Sequence, residues 1–400
     1  MSLHCVRLRE TALPRGVAAG LLAAAWVAVA ASVPAAGASG PSARERWQPT
    51  PLFGGHVIAL AQAASAPKVF YAGTEVAGIF RSDDGGETWS ARNQSLTGDE
   101  LAIGGAEGAA GLAVAPSDPN LVYAISGSGL LRSRDGGNTW TLLGAAPSLN
   151  RLSFRLSGSL LGAADDGLYE SGDEGDSWTL LAFEGQYVSS ALEDSRGRHA
   201  LFVTVEPVDG LRNRVWKSTD GGASWQVKFA AEDNFDQLTP DPSRPRSLYM
   251  LGDLDMYRSV DEAVSTEDNY PDPPLSSLAV DPRLSSLVYV GNASGVYRST
   301  DGGRHFAAMG AGLEADDVAA IVVDPTDPSR VYAGVVGLGV FRWNGEANRW
   351  DALNDGLPPN ADPYGGQFNG TIALAAGSQI LYAATPRGVY RLRLKPTEID

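Results

Sequence analysis

Six carboxylates in short polar turns are the residues of this 400-residue chain whose type and placement could do chemistry: Glu75, Asp165, Asp166, Asp209, Asp253 and Asp255. Two carboxyl groups facing each other across a mouth can cleave a glycosidic bond, one donating a proton while the other serves as base or nucleophile. Glu75, Asp166, Asp253 and Asp255 are the candidates for that role. Clustered loop carboxylates also suit calcium, but no calcium-loop spacing accompanies them, so no metal site is assigned. The ordinary alternative is a set of solvated acidic turns. His56, His199 and His305 follow no metal-ligand spacing. There is no phosphate loop, dinucleotide fingerprint or Gly-x-Ser-x-Gly elbow, and no cofactor is expected.

The elements that hold these turns are set by a repeat. RSDDGGETW at 81–89 recurs as RSRDGGNTW at 132–140, ESGDEGDSW at 170–178, KSTDGGASW at 217–225 and RSTDGGRHF at 298–306. An aspartate two residues before a glycine, between apolar runs, builds a tight hairpin turn: the carboxylate accepts backbone N–H groups while glycine takes a positive φ. The hydroxyl residues on either side can bond within the same loop, and the closing aromatic ring can bury between sheets. Ser82, Asp84, Gly86 and Trp89 therefore read as structural, as do Ser133, Asp135, Gly137 and Trp140, and Ser171, Asp173, Gly175 and Trp178. So do Ser218, Asp220, Gly222 and Trp225, and Ser299, Asp301, Gly303 and Phe306, with His305 at a box hydroxyl position.

Around each box the chain divides into short runs of Val, Ile, Leu, Phe and Tyr separated by Gly, Pro, Asp and Ser, an all-β pattern. The first unit gives strands at 57–63, 68–74, 78–82 and 87–92. Counting third strands by their last residue gives eight: Arg81, Arg132, Glu170, Lys217, Arg258, Arg298, Arg342 and Arg391. Two boxes are degenerate, Ser259-Val260-Asp261 and Trp343-Asn344-Gly345. The last unit has three strands and the segment around Trp47 supplies a fourth, so the two chain ends would pair and close a ring. The expected fold is a single β-propeller of about eight four-stranded blades, each about 44 residues long. Seven is the alternative, because the fifth unit lacks a clear outer strand. First and fifth blades of an eight-blade ring stand opposite each other, which would set Glu75 across the channel from Asp253 and Asp255.

The motif Ser-x-Asp-x-Gly-x-(Ser/Thr)-Trp resembles the Asp-box of the sialidase-type repeat families, and the whole of 45–400 resembles the Asp-box propeller superfamily. The phrases VYAGT and GVYRSTDGG look most like photosystem II assembly factor-like, sortilin-like and xyloglucanase-like propellers. A sialidase would need an arginine triad, a tyrosine–glutamate nucleophile pair and an aspartate acid. Here the arginines are mostly repeat arginines ahead of the box serine, read as edge residues of third strands, and Tyr169-Glu170 falls on the strand register. Xyloglucanases carry an aspartate where this chain has Glu75, but the resemblance implies two propellers facing one cleft, and one is present. Trp216 and Trp343 sit in third strands and read as packing residues rather than sugar platforms.

The N-terminus decides the expected compartment. Arg7, Arg9 and Arg15 precede an uncharged apolar run at 17–33, and Ala36-Gly37-Ala38 offers small residues to a signal peptidase. We divide the chain into a signal peptide at 1–38, a linker at 39–44 and the propeller at 45–400, with an uncleaved anchor as the alternative. Cleavage would remove Cys5, the one cysteine, so packing alone would hold the fold. It would leave 28 basic against 46 acidic residues, a formal charge of −18 in place of −16. That balance argues against nucleic acid and anionic membrane as partners.

The expectation is a secreted or periplasmic, monomeric, non-enzymatic module whose loop face binds an extracytoplasmic protein, peptide or glycan. A secreted glycoside hydrolase is the alternative.

Overall fold

The structure is a computed structural model that describes residues 45–52, 57–103, 111–194, 200–206, 213–231, 235–241, 248–252, 256–260, 263–265, 274–313, 317–325, 327–358, 373–377, 380–385 and 387–394. Within them lie eight separate four-stranded antiparallel sheets. Seven run in simple sequence order, as in blade one, where Val57–Gln62, Phe70–Thr74, Ile79–Ser82 and Ser90–Ala91 lie side by side. Blade five is complete, because Ala263–Ser265 pairs with Met256–Val260 as its outer strand, which excludes the seven-blade alternative.

Blade eight takes strands from both ends of the chain. Gln48–Pro49 pairs antiparallel with Gly388–Arg393, Gln48 opposite Arg391. Trp47 behind that strand is 1% exposed, and its indole N–H donates to the Leu353 carbonyl of blade seven at 2.6 Å. The Glu45 carboxylate meets Arg342 at 2.6 Å.

First strands of neighbouring blades pack on one another around the centre. In six blades the first strand carries a register shift near its start, as between Val57 and Ala59 or Val318 and Ala320. Such a bulge adds local twist where the strands crowd together. The second strands Phe70–Thr74, Val122–Ser126, Val288–Asn292 and Val331–Val335 are buried at every residue, because each blade is covered on both faces by its neighbours.

The apolar interior is therefore divided among the seams between blades. Tyr71, Ile79, Val122, Leu131 and Trp140 fill the seam between blades one and two, and Leu52, Tyr382 and Val389 meet Val57 and Phe70 where blade eight meets blade one. Comparable clusters occupy the remaining six seams. Burial at about 25 cal/mol per Å² makes these seams the main stabilising contacts of a fold without disulfides.

Candidate functional site

An antiparallel meander places second-to-third strand turns and interblade connections on one face and the box turns on the other. Glu75 lies on the first face in the turn 75–78, exposed beside Val76, itself 68% exposed. That turn is tightly framed. Thr74 Oγ1 donates to the Gly78 carbonyl at 2.8 Å and accepts the Ala77 N–H at 2.9 Å. The Asn93 side chain, from the chain leaving the blade, accepts the Ile79 N–H at 2.8 Å and donates to the Ala77 carbonyl at 2.7 Å. Asn354 repeats both bonds in blade seven, to Val340 and Leu338.

Asp165 and Asp166 form the exposed two-residue turn of blade three. Burial, and then a hydrogen bond to Asp166, push the Tyr169 phenol above its ordinary pKa. Glu170 belongs elsewhere, its carboxylate meeting Arg155 at 2.8 Å and accepting from Ser159 at 2.8 Å. Adjacent strand residues point to opposite faces, so Tyr169 and Glu170 form no catalytic pair. Glu75 and Asp166 stand on blades one and three, a quarter turn apart rather than opposite. Asp209, Asp253, Asp255, His56 and His199 lie outside the described residues. Among the described residues no group of three His, Cys, Asp or Glu side chains could hold a metal ion.

On the other face the five boxes share one bonding pattern. Ser133 Oγ donates to Asp135 Oδ1 at 2.8 Å and accepts the Gly137 N–H at 2.7 Å, while Asp135 accepts the Thr139 N–H at 2.9 Å and its hydroxyl at 2.7 Å. Ser82, Ser171, Ser218 and Ser299 repeat the serine's part. In the last box His305 Nδ1 replaces the hydroxyl, 2.6 Å from Asp301 Oδ2. Bonds from the Ser177 hydroxyl and N–H, then from Ser171, lower the Asp173 carboxyl to about 2. Ser224 and Ser218 do the same at Asp220, also to about 2. These aspartates are saturated turn-formers.

The BNR/Asp-box repeat family matches residues 80–91, the first of these turns. The chain is an Asp-box β-propeller. It is 25% identical over 254 residues to the xyloglucanase Xgh74A of Acetivibrio thermocellus, covering 60% of this chain and 24% of that protein. A xyloglucanase of Paenibacillus sp is 25% identical over 294 residues, covering 70% of this chain and 24% of its own length. The chain thus spans about a quarter of the length of these curated relatives. The solved xyloglucanase of Xanthomonas campestris aligns with a TM-score of 0.56 at 17% identity, over 88% of this chain and 70% of that one, a likeness of fold.

Two features of the propeller escape the sequence reading. The box serines, not the aspartates, are the buried members: each is at most 1% exposed, whereas Asp84, Asp135, Asp173 and Asp220 are exposed and Asp301 is half-buried. The repeat arginines are also more than strand edges. Arg132 is 5% exposed and reaches blade three, where it donates to the Glu174 carbonyl at 2.8 Å and meets Asp176 at 2.8 Å. The tyrosine opposite it, Tyr123, donates to the same carbonyl at 3.1 Å. The signal in the sequence is the Tyr and Arg recurring at one register in six second and third strands. Trp216 packs on Phe183 at 5.3 Å and Trp343 on Trp350 at 5.4 Å, as packing residues do.

Proposed function

We propose that this chain is an exported, non-enzymatic binding propeller that acts as a monomer. It would recognise an extracytoplasmic protein, peptide or glycan through the face that carries its second-to-third strand turns. The observation that supports this is the shape of those turns. Among the described residues they have two residues at 127–128, 165–166 and 293–294, three at 336–338 and four at 75–78. Turns this short raise no walls of their own, whereas glycosidic cleavage needs an acid kept protonated in a cleft that shields it from bulk solvent. Low turns of this kind suit contact with an extended surface. Export rests on the leader at 1–38, outside the described residues; among those described, no helix is long and apolar enough to cross a membrane.

The xyloglucanase relatives favour a second reading, a secreted glycoside hydrolase using Glu75 with Asp166, Asp253 or Asp255. A depolymerisation screen of plant and bacterial glycans, with Glu75→Gln run in parallel, separates the two. The binding reading expects no cleavage by either protein and capture of a partner by both. Cleavage by the parent that Glu75→Gln abolishes would establish the hydrolase instead.

A further inference from the structure

The Tyr–Arg pairs described above perform one task around the ring. At four seams the tyrosine, the arginine or both donate to the carbonyl of the residue that follows the box aspartate in the next blade. Arg81 reaches Gly136 at 3.4 Å, Tyr123 and Arg132 reach Glu174, Tyr249 reaches Gly302 at 3.3 Å, and Tyr382 reaches Gly85. At two of them the arginine also takes a carboxylate from the residue after the second box glycine. Arg132 meets Asp176 at 2.8 Å and Arg391 meets Glu87 at 2.8 Å. At those two seams the pair is thus a receptor for a tight acidic turn, reading a main-chain carbonyl and, two residues later, a carboxylate, whereas Asn138 and Arg304 stand at that position in the other two.

At the seam between blades six and seven this receptor has no turn to hold. Tyr289 and Arg298 occupy the same register opposite each other. Blade seven, however, has Trp343 where the box serine would stand, and its hairpin runs straight on, with Trp343 paired to Trp350 and Asn344 to Arg349. The space that a box turn fills elsewhere is a groove of about 600 Å³ whose lining includes Tyr289, Arg298, Arg342, Trp343, Glu346 and Asp351, the last carboxylate being held by Arg349 and Asn344. Arg298 and Trp343 also border an adjoining hollow of about 230 Å³ beside Asp301 and His305. Tyr289 is 1% exposed, yet neither its hydroxyl nor the exposed Arg298 guanidinium has a hydrogen bond or ion pair among the described residues. The other cations of the groove are engaged, Arg342 by Glu45 and Arg330 by Asp324 and Asp327.

We propose that this groove is a second binding site, on the box face, which accepts an acidic tight turn from a partner protein in the place of the missing box turn. The Tyr289 hydroxyl and the Arg298 guanidinium donate to a carbonyl of that turn, and Arg298 pairs with its carboxylate, as Arg132 does with Asp176. Planar, doubly donating recognition of this kind is what arginine provides and lysine does not. The site is independent of the opposite face discussed under function.

The test uses the full chain and a cyclised peptide carrying residues 171–178, Ser-Gly-Asp-Glu-Gly-Asp-Ser-Trp, the turn that Tyr123 and Arg132 hold in this protein. Titration by calorimetry should give saturable binding that weakens with added salt. Arg298→Gln should weaken it by about tenfold or more, and Arg298→Lys should restore only part. Tyr289→Phe should weaken it by a smaller factor, and a peptide with Asn in place of Asp176 should bind the parent no better than Arg298→Gln binds the original. Arg298 has no partner to lose among the described residues, so its variants should melt with the parent. Absence of saturable binding at millimolar peptide, or equal affinity in the parent and a folded Arg298→Gln protein, would overturn the proposal.

Discussion

At the scale of single residues, the box divides its work between two side chains of different exposure. The serine hydroxyl sits in the interior and accepts a buried glycine N–H, whereas the aspartate ties the rim of the turn from the solvent side. An unsatisfied buried donor costs more than a lost bond that water can replace. Ser133→Ala should therefore destabilise by about 1–3 kcal/mol, and Asp135→Ala by about 1 kcal/mol, in urea unfolding. Equal losses, or a larger one for Asp135, would contradict this division. The carboxylates set the acid response. Asp173 and Asp220 titrate near 2 in the fold, below the usual carboxylate value of about 4 in an unfolded chain. Their contribution is complete above about pH 4 and is lost as the pH falls towards 2. Thermal melts should decline across that window, and an Asp173→Ala, Asp220→Ala double variant should decline less steeply.

At the scale of elements, blades are joined by apolar seams that polar staples fix in register. Arg132 shows the economy of the arrangement, because one guanidinium spans two sheets and neutralises Asp176 at their junction. Losing it leaves the Glu174 carbonyl with the Tyr123 hydroxyl alone. Arg132→Ala should cost about 1.5–3 kcal/mol, with Arg132→Lys between the two, as read from unfolding midpoints. Seam packing also explains the second box glycine. Gly137 has φ of +89°, and a Cβ there would lie 2.8 Å from the Arg92 Cβ of the preceding blade. The Trp140 indole closes that seam by donating to the Arg92 carbonyl at 2.7 Å.

At the scale of the whole molecule, stability depends on closing the ring. Trp47 joins blade seven to the edge of blade eight, through its buried ring, its indole bond to Leu353 and its backbone bond to Asp355 at 2.8 Å. Trp47→Ala should cost about 3–5 kcal/mol, a buried-aromatic loss. Limited proteolysis should then release fragments from the blade-eight end first, where the wild-type ring is protected. Release spread evenly over all blades would argue against closure by this strand.

The sequence by itself determined what is local. Nine-residue boxes, with an aspartate two positions before a glycine, leave the backbone one tight turn, and eight recurring third strands point to eight blades, though only the outer strand at Ala263–Ser265 excludes seven; even the joining of Trp47 to the last three strands was legible, since each fragment lacked what the other had. What crosses a seam was decided only by tertiary structure. Arg132 and Glu174 lie 42 residues apart and meet because stacked blades bring one register position over the next turn. The burial of serine over aspartate is a matter of which side of the turn faces the neighbouring blade. Glu75 and Asp166 were legible as acidic turn residues, but the quarter turn between them follows from the order of blades in the closed ring. The groove at Tyr289 and Arg298 was hidden for the same reason: the degenerate box at 343–345 shows in the sequence, while the receptor it leaves empty belongs to the blade before it.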